Sequence, residues 1–396
     1  MKPSLFRIVA AVIIVASFVY LAPAGAAGEP YEIGVIASLT GSASFQGIGE
    51  MKTLRAFEQQ LNRSGGLRGR PIRFVFKDDA SSAANSVQLL NALIASKAPV
   101  VLGSSLVSEC NAMAPLLKDG PLLYCFSPGF HPDSGTFGYS SGASTKDLIK
   151  VAIRYLRERG WKRMALITSV DATGQDADRS LDEAFKLSEN HDITVVAREH
   201  FAITDLSVTA QITRIKGTNA QVIITWATGT PEATILRGIN DAGLEIPVLA
   251  NVANASSTQM QQYAAILPKE LYCSGVPVLA PETVSDKATQ LQLKTFFTAL
   301  RATGIDRADY VYNLAWDSAL LVVAGLQKYG LNATPAQLRD FLSSNTSVVG
   351  VNGHYDFKTT PQRGLGQNAV FMIRWNADKN AWIGVSKLGG LPLRSK

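Results

Sequence analysis

The chain has 396 residues, of which 46% are hydrophobic, 18% charged and 8% aromatic, with 32 Gly and 17 Pro; this excludes a disordered, collagen-like or low-complexity protein. Lys and Arg outnumber Asp and Glu by 38 to 32, but no block of five like charges concentrates the excess, so nucleic acid is not expected as a partner. Three cysteines, Cys110, Cys125 and Cys273, are too few and too far apart for a disulfide scaffold or a zinc ribbon. The length predicts two or three domains of roughly 100 to 200 residues.

Lys2 and Arg7 precede an apolar run from Ile8 to Leu21, and small residues follow from Ala22 to Ala27. This is the order of a secretory signal over residues 1–26, with cleavage near Ala26 and Ala24-x-Ala26 as the site. The run is shorter than the roughly 20 residues of a spanning helix. Cleavage takes Lys2 and Arg7 and no acid from a net charge of +6, leaving +4. No cysteine stands near the cleavage site to carry a lipid, so an exported, unanchored periplasmic protein is expected.

Short β-rich runs then alternate with helical patterns. Glu32–Ala37 reads as a buried strand, and Met51, Leu54, Phe57 and Leu61 recur at helical spacing. Ile72–Phe76 alternates as a strand, followed by a helix carrying Val87, Leu90, Leu93 and Ile94. Val100–Leu102, a helix near 109–118 and Leu122–Phe126 continue the series up to a polar stretch, Ser140–Ser144, read as a boundary. The alternation restarts with a helix from Lys146 to Arg159 and strands at 164–167, 193–197, 222–226, 248–251 and 271–276. Three helices over about 284–302, 309–329 and 335–343 follow, then short strands around Tyr355, 371–375 and 382–385. This order predicts an α/β protein of two doubly wound parallel-sheet lobes. Ligands of such sheets bind beyond the carboxyl ends of the strands.

Several segments carry a resemblance. Gly41–Gly47, Leu61-Asn62-Arg63-Ser64-Gly65-Gly66-Leu67-Arg68-Gly69-Arg70-Pro71-Ile72, Lys77–Ala80, Val101–Ser105, Ser127-Pro128-Gly129, Gly174 after Asp171, and Pro231-Glu232 with Gly238 and Ala242-Gly243-Leu244 are similar to the branched-chain amino-acid-type periplasmic binding proteins over nearly the whole mature chain. The resemblance implies two lobes joined by three crossovers, near 140–144, 277–281 and 350–353, which close on a ligand by hinge motion. Lobe one would hold 28–141 and 280–350, and lobe two 145–277 and 354–392. The function implied is capture of a small carboxylate for the permease subunits of an ABC importer, by a monomer. The alternative is a sensor that passes its bound state to a membrane receptor or regulator, since one fold serves both.

In that family, hydroxyls and backbone N–H groups at two helix starts of lobe one meet the ligand carboxylate, and helix N-termini suit anions. Here the resemblance points to Ser108, with Ser104 and Ser105 as competitors, and to a second loop with Gly129, Phe130 and His131. Gln46 and Thr173 stand where the family has tyrosines, and Phe45 and Trp226 offer apolar walls. Thr228 and Asn251 belong to the loops of lobe two. The stretch Leu249–Asn254 lacks the acid that amino-acid binders place there, and a buried ammonium without a counter-ion costs roughly several kcal/mol. The expected ligand is therefore an aromatic or branched acid without an amino group, with Asp171 and Glu109 as the acids that could still replace the missing charge.

Catalysis, a cofactor and a metal are not expected. His131, His191, His200 and His354 form no His-Glu-x-x-His, and Cys-x-x-Cys does not occur. Gly47-Ile48-Gly49 lacks the third glycine of a dinucleotide loop, and Ser108 with His131 lacks an orienting acid. The family's disulfide starts from the acidic loop, which here is Asp79-Ala80-Ser81-Ser82. Cys110 and Cys125 can pair after export, but Cys125 reads as a small buried hydrophobe, and no disulfide is expected.

Overall fold

The computed structural model describes residues 28–393; the expected signal and its cleavage near Ala26 lie outside them. Strand β1 (Tyr31–Ala37), helix α1 (Ser44–Arg63), β2 (Ile72–Asp78), α2 (Ala83–Ala95), β3 (Val100–Leu102), α3 (Val107–Met113), β4 (Leu122–Cys125) and β5 (Gly138–Ser140) follow in order. Their strands make a five-stranded parallel sheet in the order β2-β1-β3-β4-β5. A second series runs α4 (Thr145–Glu158), β6 (Arg163–Ser169), α5 (Ala172–Phe185), β7 (Thr194–Phe201), α6 (Thr209–Lys216), β8 (Val222–Trp226), α7 (Thr230–Asp241), β9 (Val248–Ala250), α8 (Ser257–Gln262) and β10 (Leu271–Gly275). These strands repeat the same winding, β7-β6-β8-β9-β10.

The remaining chain serves both lobes. Helices α9 (Lys287–Arg301), α10 (Tyr310–Tyr329) and α11 (Pro335–Ser344) return to the first sheet, where α9 and α10 pack on α1, α10 on β3 and α11 on β4. A short hairpin, β11 (Val349–Gly350) with β12 (Gly353–His354), comes next. Then β13 (Phe371–Asn376) and β14 (Ala381–Gly384) extend the second sheet beyond β10 as antiparallel edge strands. The fold is thus two α/β lobes between which the chain passes three times, with the second sheet mixed rather than wholly parallel.

Burial explains the elements. Every residue of β8, Val222-Ile223-Ile224-Thr225-Trp226, is buried, the near-continuous apolar run of a strand covered on both faces. α4 buries Leu148, Ile149, Val151, Ala152, Ile153, Tyr155 and Leu156 on one side, and each large side chain so buried contributes about 1.5–3 kcal/mol. Ser82, Ser144, Asp171, Ser256, Asp286 and Thr334 cap helices α2, α4, α5, α8, α9 and α11 through their side-chain oxygens.

The structure corrects the sequence expectation in four places. β5 is an additional strand, too short at Gly138-Tyr139-Ser140 to show alternation. The helix expected over 109–118 begins at Val107 and gives way after Met113 to a 3-10 turn, Ala114–Leu116, because Pro115 has no N–H to continue it. Tyr355 lies just past β12, where its hydroxyl donates to Asp317 at 2.8 Å. Cys110 and Cys125 form a disulfide, with Cα atoms 6.2 Å apart; α3 packs beside the end of β4, so both cysteines are buried and also paired.

Candidate functional site

The loops at the carboxyl ends of the two sheets together line a cavity. From the first lobe come Gln46 and Glu50 on α1, Ser105-Leu106-Val107 after β3, Phe126-Ser127-Pro128-Gly129 after β4, and Tyr310, Val311 and Leu314 from α10. From the second come Thr145 and Leu148 on α4, Thr173 and Asp176 on α5, Trp226 and Thr228 around the end of β8, and Asn251-Val252-Ala253 after β9. This is the place that doubly wound sheets reserve for ligands. Gly47 and Gly174 set its walls: a Cβ at either would run into the carbonyl of Ser38 or Ser169, so only glycine lets each first helix of a lobe lie this close to its strand.

Apolar and polar side chains share the lining. Trp226, Phe126, Leu148, Val311 and Leu314 supply flat and branched apolar wall. Three buried side chains on the lining have polar atoms without a partner: both amide atoms of Gln46, the hydroxyl of Tyr310 and Oδ2 of Asp176. Asn251, by contrast, is engaged, donating to the Ala227 carbonyl at 3.2 Å and to Thr228 Oγ1 at 3.1 Å.

Two acids line the cavity, and neither is Asp171 or Glu109, the two that the sequence offered in place of an acid after β9. The acid was sought after β9, whereas Glu50 and Asp176 come from early turns of α1 and α5, where the facing direction depends on how each helix packs. Glu50 is buried, and burial pushes its carboxyl up to about 8, although the Ser105 hydroxyl donates to it at 2.5 Å. Asp176 Oδ1 meets Nε2 of His131 at 2.9 Å and Arg179 at 3.4 Å, which joins the loop after β4 to the opposite lobe. No Lys, Arg or His is among the residues lining the cavity.

Of the residues singled out from sequence, Gln46, Ser105, Gly129, Thr173, Trp226, Thr228 and Asn251 line the cavity together. The others do not. Ser104 is wholly buried and its hydroxyl donates to Asp79. Ser108 is exposed on α3 and donates to Glu109 at 2.8 Å. Phe130 packs against the Cys110–Cys125 pair, and Phe45 is half-buried outside the lining. His131 holds Asp176 rather than the cavity, and Asp171 caps α5 by accepting from the Gly174 N–H at 3.1 Å. Glu109 is buried, which raises its carboxyl, but it is no part of the lining either. Sequence reasoning missed Glu50, Asp176, Thr145 and Tyr310; the only signal was that each lies in the first two turns of a helix.

Comparison with known proteins agrees with this geometry. Residues 30–380 match the family model described as periplasmic binding protein. The Leu/Ile/Val-binding protein homolog 3 of Brucella melitensis is 24% identical over 375 residues, covering 92% of this chain and 98% of that protein. The branched-chain amino acid transporter substrate binding protein LivJ of Streptococcus pneumoniae, solved with isoleucine, superposes with a TM-score of 0.74 at 20% identity, over 90% of this chain and 99% of that one. A solute binding protein of an R. palustris ABC transporter, solved with benzoate, gives 0.76 at 16% identity over 93% and 98%. At these identities the two structures speak for the fold.

Proposed function

The chain belongs to the periplasmic binding protein family, and on that premise we propose that it captures a small carboxylate with an aromatic or branched body between its lobes and delivers it to the permease of an ABC importer. The observation that carries the reading is the cavity itself: apolar walls led by Trp226, with the buried and unpartnered polar atoms of Gln46, Tyr310 and Asp176 set among them. A buried polar group without a partner costs about 1–3 kcal/mol, and a polar ligand removes that cost. Isoleucine and benzoate, held by the two proteins of like fold, are carboxylates with branched and aromatic bodies, in keeping with this class. Gln46, Ser105, Gly129, Thr173, Trp226, Thr228 and Asn251 are the proposed ligand contacts, and the lobes are assigned as 28–141 with 280–350 and 145–277 with 354–392. The signal-like first 26 residues support export to the periplasm, and no helix of the described residues is long and apolar enough to cross a membrane.

Thermal shift with aromatic and aliphatic carboxylates beside their uncharged amides tests the reading, since a ligand at about 100 times its Kd stabilises by roughly 2.7 kcal/mol. Stabilisation by an acid and not by its amide is expected; equal response to both, or to neither, overturns it. Cells lacking the protein should then lose uptake of that acid. Unchanged uptake with altered transcription would indicate a sensor.

A further inference from the structure

We propose that Asp176 is the specificity-determining residue of the cavity, and that the captured carboxylate also carries an N–H or O–H donor which binds Asp176 Oδ2. The inference rests on the carboxylate reading above and narrows it. The Asp176 side chain is 4% exposed. Its Oδ1 is held by His131 of the other lobe and by Arg179 on its own helix, while Oδ2, on the cavity lining, has no partner. A carboxylate oxygen accepts and does not donate, so a donor on the cavity's occupant would satisfy it.

The surroundings narrow the occupant further. The lining residues offer no cation to Oδ2, so an anionic ligand without a donor would meet a second carboxylate with nothing between them, an arrangement that disfavours binding. Gly129 leaves the approach open, since a Cβ there would lie 3.0 Å from Oδ2 and 2.7 Å from a methyl of Val107. The unpartnered donors available to the ligand's carboxylate, Gln46 Nε2 and the Tyr310 hydroxyl, stand on helices α1 and α10 of the first lobe, whereas Asp176 stands on α5 of the second. A ligand with an acid pole and a donor pole suits this division, whether the donor is an ammonium or a hydroxyl.

Calorimetry on the mature protein with three matched pairs tests the proposal: benzoate against 4-hydroxybenzoate, 4-methylpentanoate against leucine, and 3-phenylpropanoate against phenylalanine. In at least one pair the donor-bearing member should bind about ten-fold tighter or more, the size of one charge-assisted hydrogen bond, and the pair with the largest ratio tells ammonium from hydroxyl. Asp176→Ala should abolish that ratio while still binding the donor-free acid. Gly129→Ala, which crowds Oδ2 from the opposite lobe, should reduce the ratio and keeps the test decisive if Asp176→Ala does not fold. Donor-free members binding as tightly or more tightly in every pair would overturn the proposal and leave the carboxylate reading standing, as would a preference that survives Asp176→Ala. Binding of no acid at all would overturn both.

Discussion

Glu50 is a buried acid on the cavity lining whose charge depends on pH. Its carboxyl is raised from the ordinary range to about 8 by burial, so at neutral pH it is uncharged and adds no negative charge to the site an anion enters. Affinity for a carboxylate is therefore expected to be flat from pH 6 to 7 and to fall as pH rises through about 8, and Glu50→Gln should remove that fall; titration calorimetry across pH checks both. The two serines differ in a way that can also be measured. Ser105 lines the cavity, whereas the exposed Ser108 serves Glu109, so Ser105→Ala should weaken binding by about 1–3 kcal/mol and Ser108→Ala should leave it unchanged. The opposite result would return the carboxylate contact to α3.

Connections between elements carry the next set of consequences. The Cys110–Cys125 bridge closes a span of 15 residues between α3 and β4, next to the two loops that end at the cavity, and a loop of that size stabilises by about 3 kcal/mol in the chain-entropy picture. Urea unfolding with and without reductant should differ by about 2–4 kcal/mol, and Cys125→Ser should make the two curves coincide. Arg363, after β12, is buried without a carboxylate partner and donates to the carbonyls of Pro128 at 3.0 Å, Phe130 at 2.6 Å and Gly142 at 3.1 Å. Burial lowers its guanidinium to about 10, still charged at neutral pH. It ties the segment preceding β13 to the loop after β4 and to the first crossing between lobes. Arg363→Leu leaves those carbonyls unpaired and should cost at least about 2 kcal/mol in urea unfolding, with Arg363→Lys restoring little because an ammonium lacks the planar fork.

At the scale of the whole molecule, polar contacts join the two lobes beside the cavity. His131 with Asp176 is one; the Asp309 carboxylate, accepting from the Ser256 hydroxyl at 3.0 Å and the Ser257 N–H at 3.1 Å, is another. A ligand held between the two lobes would complete closure about a hinge, and small-angle scattering should show a smaller radius on saturation; an unchanged radius would argue against closure. Stability should depend on pH in a definite direction. Glu50, Glu232, Asp309 and Asp317 all have carboxyls raised by burial, to about 8, 7, 6 and 6. A raised folded-state acid holds a proton that the unfolded chain has already released, so its stabilising effect is complete below about pH 4 and is lost as pH rises to each folded value. The ligand-free protein is therefore expected to lose stability steadily from pH 5 to pH 8, by roughly 1 kcal/mol per pH unit for each group still protonated; a denaturation midpoint that rises over this range would contradict it.

The order of strands and helices was legible because their burial is written locally. Two-sided burial makes β8 a continuous apolar run, and one-sided burial gives α4 its stripe. Topology alone pointed to the carboxyl ends of the strands, and the family resemblance, which includes Gly47 and Gly174, named the particular loops there. What tertiary structure decided was orientation within those loops. Whether Ser105 or Ser108 faces the cavity depends on where α3 starts, which no pattern over seven residues fixes. Glu50, Asp176 and Tyr310 reach the site through the rotation of α1, α5 and α10 against sheets far away in sequence, so the acids that a search after β9 did not find come from elsewhere. The same distance hid the pairing of Cys110 with Cys125: strand spacing and the packing of α3 over β4 bring the thiols together, and these are properties of the assembled lobe rather than of any stretch of the chain.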